Sequence, residues 1–263
     1  TAHQLGVDVG RVAKPIQTET ASGLAMPDGM PEKGPALWNA IKPMPAEEMI
    51  RVQDAEDMLV EEISQEEEFV LNDTDITDQA IRNLTECKRL RGLGLSGTNI
   101  TDKCVDVFKS FPKLQSLILS FTAISDSGIK ALGEIGSLTR LWLDYTALSN
   151  EGMYGVGMLT ELTHLSIRRT AITDHGLQHI ADLQKLSTLY LDDCSISDDG
   201  LKTLMLHGQL KELRLCNTPV TDKVLDVLEN YKELNLLDLS LTKTSPEEVA
   251  NLRAKLPQTT VYR

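Results

Sequence analysis

Apolar residues recur along this chain at a period of 24. Three consecutive lines between Leu114 and Lys185 read LQSLILSFTAISDSGIKALGEIGS, LTRLWLDYTALSNEGMYGVGMLTE and LTHLSIRRTAITDHGLQHIADLQK, and they nearly superimpose. The frame extends without insertion or deletion to eight lines, starting at Glu66, Leu90, Leu114, Leu138, Leu162, Leu186, Leu210 and Leu234. A sustained period of this length predicts stacked units, a solenoid. Position 4 of each line is Leu, or Phe69 in the first, and position 6 is Leu or Ile. Apolar residues two apart, with variable positions 3, 5 and 7 around them, predict a short half-buried strand. Position 9 is Thr in seven lines and Cys194 in the other, a small side chain expected to bond the neighbouring coil's backbone.

Positions 11 to 16 follow I-(S/T)-D-x-G-(L/I). The Ser or Thr can cap a following helix, and the Asp then sits in its first turn, where the helix dipole favours negative charge. Ile129, Leu132 and Ile135 in one line, and Leu177, Ile180 and Leu183 in another, form a single apolar stripe on that helix. Each unit is strand, turn, helix, turn, and only stacking buries both apolar faces. The last line changes to SPEEVANLRAKLP, with Ser245 as cap, Pro246 at the first helical position and Glu248 three after the cap. That predicts a capping box, and Thr260 to Tyr262 are expected to add one more edge strand within 258–263.

The consensus LxxLxLxxTxI(S/T)DxG(L/I)xxLxxLxx resembles a leucine-rich repeat, of the bacterial variety that places Thr where other classes place Asn or Cys. The resemblance covers residues 66 to 256. It implies an α/β fold, a right-handed solenoid with a curved parallel sheet on its concave side and short helices outside. It also implies a binding scaffold rather than an enzyme, an implication that fold alone does not secure.

Upstream of the repeats at 66–257 the pattern changes twice. Residues 1–45 hold six of the ten prolines, which disfavours helix or central strand and predicts an extended arm. Leu37 and Trp38 are its candidate contact residues, against either the solenoid's own flank or a partner. Residues 46–65 lack Pro and Gly and place Met49, Val52, Ala55, Leu59 and Ile63 at spacings of three and four. They predict an acidic amphipathic helix capping the exposed apolar end of the first repeat. The chain opens on Thr1 rather than Met. A removed export signal is one explanation, which would place the protein in the periplasm or outside the cell; a cut made elsewhere is another.

A net charge of −13 argues against nucleic acid or an anionic membrane surface as the main partner. No apolar run approaches the ~20 residues of a membrane-spanning helix, so membrane insertion is not expected. Cys87, Cys104, Cys194 and Cys216 form neither a metal knuckle nor a CxxC pair and read as free thiols. Aromatic residues make up only 4% of the chain, so their placement is informative. Phe121, Trp142, Tyr145 and Tyr190 fall in the solvent-facing columns at positions 5 and 8 of adjacent or near-adjacent coils, among Arg140, His164, Arg168, Arg169 and Arg214. Asp144 and Asp192 lie between them. Trp, Tyr and Arg dominate interface hot spots, so these eleven residues are the candidate partner-binding set. Phosphate loops, metal-ligand clusters and signatures of an activated nucleophile are absent. His175 and His179 lack a third ligand, and the Asp column reads as helix-start electrostatics rather than calcium. The expectation is a non-enzymatic, protein-binding scaffold with no catalytic residue, no cofactor and no metal. The alternative is a structural or accessory subunit of a larger hetero-oligomeric complex, anchored through its arm.

Overall fold

The structure is a computed structural model that describes residues 67–204 and 209–263. The arm at 1–45, with Leu37 and Trp38, and the capping helix at 46–65 lie outside the described residues. Nine three-residue strands form one sheet in chain order: β1 Glu68–Val70, β2 Gly92–Gly94, β3 Ser116–Ile118, β4 Arg140–Trp142, β5 His164–Ser166, β6 Thr188–Tyr190, β7 Glu212–Arg214, β8 Leu236–Asp238 and β9 Thr260–Tyr262. Every neighbouring pair is parallel and in register, position for position, as in Leu117↔Leu141 and Leu141↔Leu165. Strand order equals sequence order because each 24-residue unit returns one strand-width along the stack. Successive copies of one position therefore form columns ~4.8 Å apart. The described residues form a solenoid of the leucine-rich-repeat type.

One continuous core runs through the stack. Leu93, Leu117, Leu141, Leu165, Leu189, Leu213 and Leu237 from the strands pack with Ile100, Ile124, Leu148, Ile172, Ile196 and Val220 from the turns. Short helices close the far side, among them Asp126–Leu132, Met153–Gly157 and Asp198–Lys202. The longest among the described residues is Pro246–Lys255, predicted from Ser245 and Pro246.

Two expectations about the turns are corrected. The position 9 threonines bond their own coil: the Thr98, Thr122 and Thr146 hydroxyls donate to the carbonyls of Leu95, Leu119 and Leu143, at 2.6, 2.6 and 2.7 Å. Only three residues separate donor and acceptor, so the hydroxyl meets its own strand's carbonyl before it can reach the next coil. Cys194 is the one that crosses, its thiol 3.2 Å from the Ile167 carbonyl. The Asp column at position 13, for its part, bolts coil to coil. Asp102 accepts from the amide and hydroxyl of Ser125, at 2.8 and 2.5 Å, and Asp126 does the same for Ser149, at 2.7 and 2.6 Å. Both carboxylate oxygens are thereby used on the next coil's helix cap. At the last cap Ser245 Oγ accepts from Glu248 N at 3.3 Å, but the Ser245 amide donates to Asp222 at 2.6 Å. The expected reciprocal bond of a capping box gives way to the bolt from the preceding coil.

Candidate functional site

The sheet's outer face carries positions 3, 5 and 7, and position 8 forms a rim where each strand turns toward its helix. At that rim the backbone is left-handed in every coil. Asp73, Phe121, Tyr145, Arg169, Asp193, Asn217 and Leu241 have φ between 51° and 59°, and Gly97 has 67°. The turn is required because the position 8 amide still donates to the next coil while the chain leaves the strand. Phe121 donates to Asp144 O, Tyr145 to Arg168 O and Arg169 to Asp192 O, each at 2.9 Å. Gly, Asn and Asp tolerate this conformation, whereas bulky side chains pay ~1–2 kcal/mol for it. Three consecutive coils nonetheless place Phe, Tyr and Arg there.

Those three side chains stack on one another. The Phe121 and Tyr145 rings lie 4.2 Å apart at 17°, and the Arg169 guanidinium sits 5.2 Å from the Tyr145 centroid. Phe121 is 42% exposed. The result is a solvent-facing ladder of two rings and a cation spanning three coils. Inward of it on β4 lie Trp142 and Arg140, both half-buried.

The remaining candidates divide by burial. Asp144 is 1% exposed and fully committed. One of its oxygens accepts from Ser166 Oγ at 2.5 Å and from the Arg168 amide at 2.8 Å. The other accepts from Arg168 Nη2 at 2.8 Å. Asp192 is likewise buried and pairs with Arg214 Nε at 3.1 Å, while Arg214 Nη2 reaches Asp238 at 3.4 Å. Burial pushes the Asp192 carboxyl up to about 6, against the pull of Arg214. Tyr190 is 4% exposed, and its phenol donates to Glu212 at 2.6 Å. Burial, followed by that bond, raises its pKa and keeps it a proton donor. As direct contacts for a partner, Asp144, Tyr190 and Asp192 are therefore corrected: they hold the arginines and the sheet, and their oxygens are already used. Their polarity suited the solvent-facing columns, but partners in the next coil draw them in.

His164 is half-buried, with Nδ1 2.7 Å from Thr163 Oγ1. Burial and the nearby Arg140 lower its pKa, so it is a neutral imidazole at pH 7. Arg140 and Arg169 differ from Arg168 and Arg214 in making no ion pair among the described residues. The accessible part of the candidate set is thus Phe121, Tyr145 and Arg169 at the rim, with Trp142, Arg140 and His164 beside them. In the same columns of an earlier coil, Gly92, Gly94 and Ser96 are buried and Gly97 is exposed.

The chemistry available elsewhere is limited. All four cysteines are free, and Cys87, Cys104 and Cys194 are buried. Burial raises the Cys216 thiol to about 11, above the range of a reactive thiolate. His175 and His179 meet edge to face at 6.4 Å, with Tyr154 against His179 at 6.2 Å. No group of three His, Cys, Asp or Glu among the described residues could hold a metal. No described helix is long and apolar enough to cross a membrane.

Comparison with known proteins agrees with this architecture. A leucine-rich-repeat family model matches residues 112–133 and 182–205. No curated protein matches the chain. Among solved structures, internalin C2 of Listeria monocytogenes matches with a TM-score of 0.61 and 22% identity, over 77% of this chain and 83% of that one. At that identity the likeness is one of fold. Since 440 chains of solved structures match, the fold alone does not select a function.

Proposed function

We propose that this leucine-rich-repeat solenoid is a non-enzymatic scaffold that holds a protein partner on the outer face of its sheet, centred on β3 to β5. The observation that carries the reading is the Phe121–Tyr145–Arg169 ladder, exposed at Phe121 and half-buried at the other two, at a backbone position where Gly, Asn or Asp would cost less. Bulky residues in a strained, solvent-facing turn gain little for folding, and strain of this kind concentrates at functional sites. Aromatic and Arg anchors beside Trp142 and Arg140 supply the large, rigid contact area typical of interface hot spots. The buried pairs Asp144–Arg168 and Arg214–Asp192 fix the floor beneath them, so little side-chain order remains to be lost on binding.

The test is affinity capture from native lysate with the intact chain and with Phe121→Ser, Trp142→Ala, after circular dichroism shows equal folding. A partner whose yield falls about tenfold or more places binding on this face. Arg168 is a poor choice for truncation, because its loss strands a buried carboxylate and would confound folding with binding. A partner kept by the variant and lost on deleting residues 1–45 would instead favour an accessory subunit anchored by its arm.

A further inference from the structure

Resting on that reading, we propose that the partner presents an acidic, extended segment, and that Arg140 and Arg169 each receive one of its carboxylates. Arg168 is neutralised by Asp144, and Arg214 by Asp192 and Asp238. On the helical side Lys109 pairs with Glu134, Lys130 with Glu151 and Lys185 with Glu161. Arg140 and Arg169 make no ion pair among the described residues, in a chain whose net charge is −13. Two unspent guanidinium groups on the face that also carries the aromatic ladder are a local cationic site on an acidic protein. Guanidinium is the group best matched to a carboxylate, and Arg169 holds its own 5.2 Å from the centroid of the Tyr145 ring.

The arrangement also gives direction and spacing. Arg140 is at position 3 of its coil and Arg169 at position 8 of the next, so their Cα atoms are roughly 17 Å apart, five residues of extended chain. Trp142 and Tyr145 line the interval, and His164 adds no charge at pH 7 because its pKa is lowered. Asp144, also in the interval, is masked by Arg168. Beyond β5 the face carries Asp192, Asp193, Glu212 and Asp238 against the single Arg214, a net negative charge that would repel such a segment. The segment lies over β3 to β5, its carboxylates about four to six residues apart, with an apolar residue between them over Trp142. Charge complementarity of this kind sets specificity and association rate more than total affinity.

The experiment is selection of a phage-displayed library of random 12-residue peptides on the full chain, run in parallel on Arg140→Glu, Arg169→Glu with folding checked by circular dichroism. Enriched peptides are expected to carry an excess of Asp and Glu with pairs about four to six apart, and to be lost on the double variant. Arg140→Gln and Arg169→Gln are each expected to weaken the best peptide about three- to tenfold, with similar weakening between 0.05 and 0.5 M salt. Selected peptides without an acidic excess, acidic peptides that bind the double variant equally, or no enrichment at all would overturn the proposal. The two readings separate cleanly. Peptides that lack the acidic excess yet are lost with Trp142→Ala sink the acidic segment and leave the binding face; peptides indifferent to Trp142, Arg140 and Arg169 sink both.

Discussion

At the scale of single residues, position 8 separates folding from function. Asp73, Gly97, Asp193 and Asn217 suit a left-handed turn, while Phe121, Tyr145, Arg169 and Leu241 do not. Leu241 is 78% exposed and takes no part in the stack, so it bears the strain with no packing return. Leu241→Asn is expected to stabilise the fold by about 0.5–1 kcal/mol in urea melts. A loss of stability would mean that Leu241 has a contact its exposure does not reveal. Phe121→Asn trades relieved strain against a lost stack and should change stability by less than about 1 kcal/mol while removing binding. Asp192 gives a second test, by pH. Its folded-state pKa is raised from 3.8 to about 6, so its contribution to stability is fully present below about 4 and lost as pH rises through about 6. Relative to wild type, Asp192→Asn should therefore gain in urea midpoint between pH 4 and 7. A constant difference across that window would show that Arg214 and Arg168 outweigh burial.

At the scale of the repeat unit, the motif D-x-G joins two coils rather than one. The Asp reaches forward to the next coil's cap, and the next coil's Gly makes room for it. A Cβ on Gly128 would stand 2.3 Å from Asp102 Oδ1, and one on Gly200 would stand 2.1 Å from Asp174 Oδ1. The Gly is thus required by a carboxylate 26 residues upstream, not by its own backbone angles. This predicts non-additivity. Asp102→Ala leaves the Ser125 amide and hydroxyl unpartnered and should cost about 1–3 kcal/mol. Gly128→Ala should cost at least as much through the clash. In the double variant the methyl enters space the carboxylate has left, so the combined loss should fall short of the sum by about 1 kcal/mol or more. Strict additivity by chemical denaturation would show that the two positions do not share that space.

At the scale of the whole molecule, periodicity was sufficient for the fold because each coil contacts its neighbours through repeated positions. The strands, the Leu and Ile core, the Pro246 helix start and the last strand at Thr260–Tyr262 were all legible from spacing. The site was less so. Tyr190 is buried, its phenol bound to Glu212 of the next coil, while Trp142 in the same column is only half-buried, and the left-handed rim is hidden by side chains that rarely adopt it. Sequence spacing reports which column a residue occupies, not what its neighbours in that column do with it. The same nearest-neighbour logic makes the stack divisible. Deleting one full period, Leu162 to Lys185, would set Ser197 against Asn150, Gly200 in the place of Gly176, and β6 beside β4. Every turn and helix role at the new junction is filled by a residue that performs it elsewhere; on the strand side Asp144 loses Ser166 and Arg168 and meets Asp192, so the deletion is made together with Asp144→Ser, the residue that Ser120 supplies one coil earlier. The shortened chain is expected to unfold cooperatively at a lower urea concentration, having lost one interface, and to lose partner binding with Arg169. Deleting only residues 162–173 would set a half-turn against a strand and should abolish the transition. If the full-period deletion also fails to fold, the coils are not equivalent and the stack depends on something particular to β5. If it folds and still binds, the partner does not need the cationic end of the ladder, and the site must be sought on β3 and β4 alone.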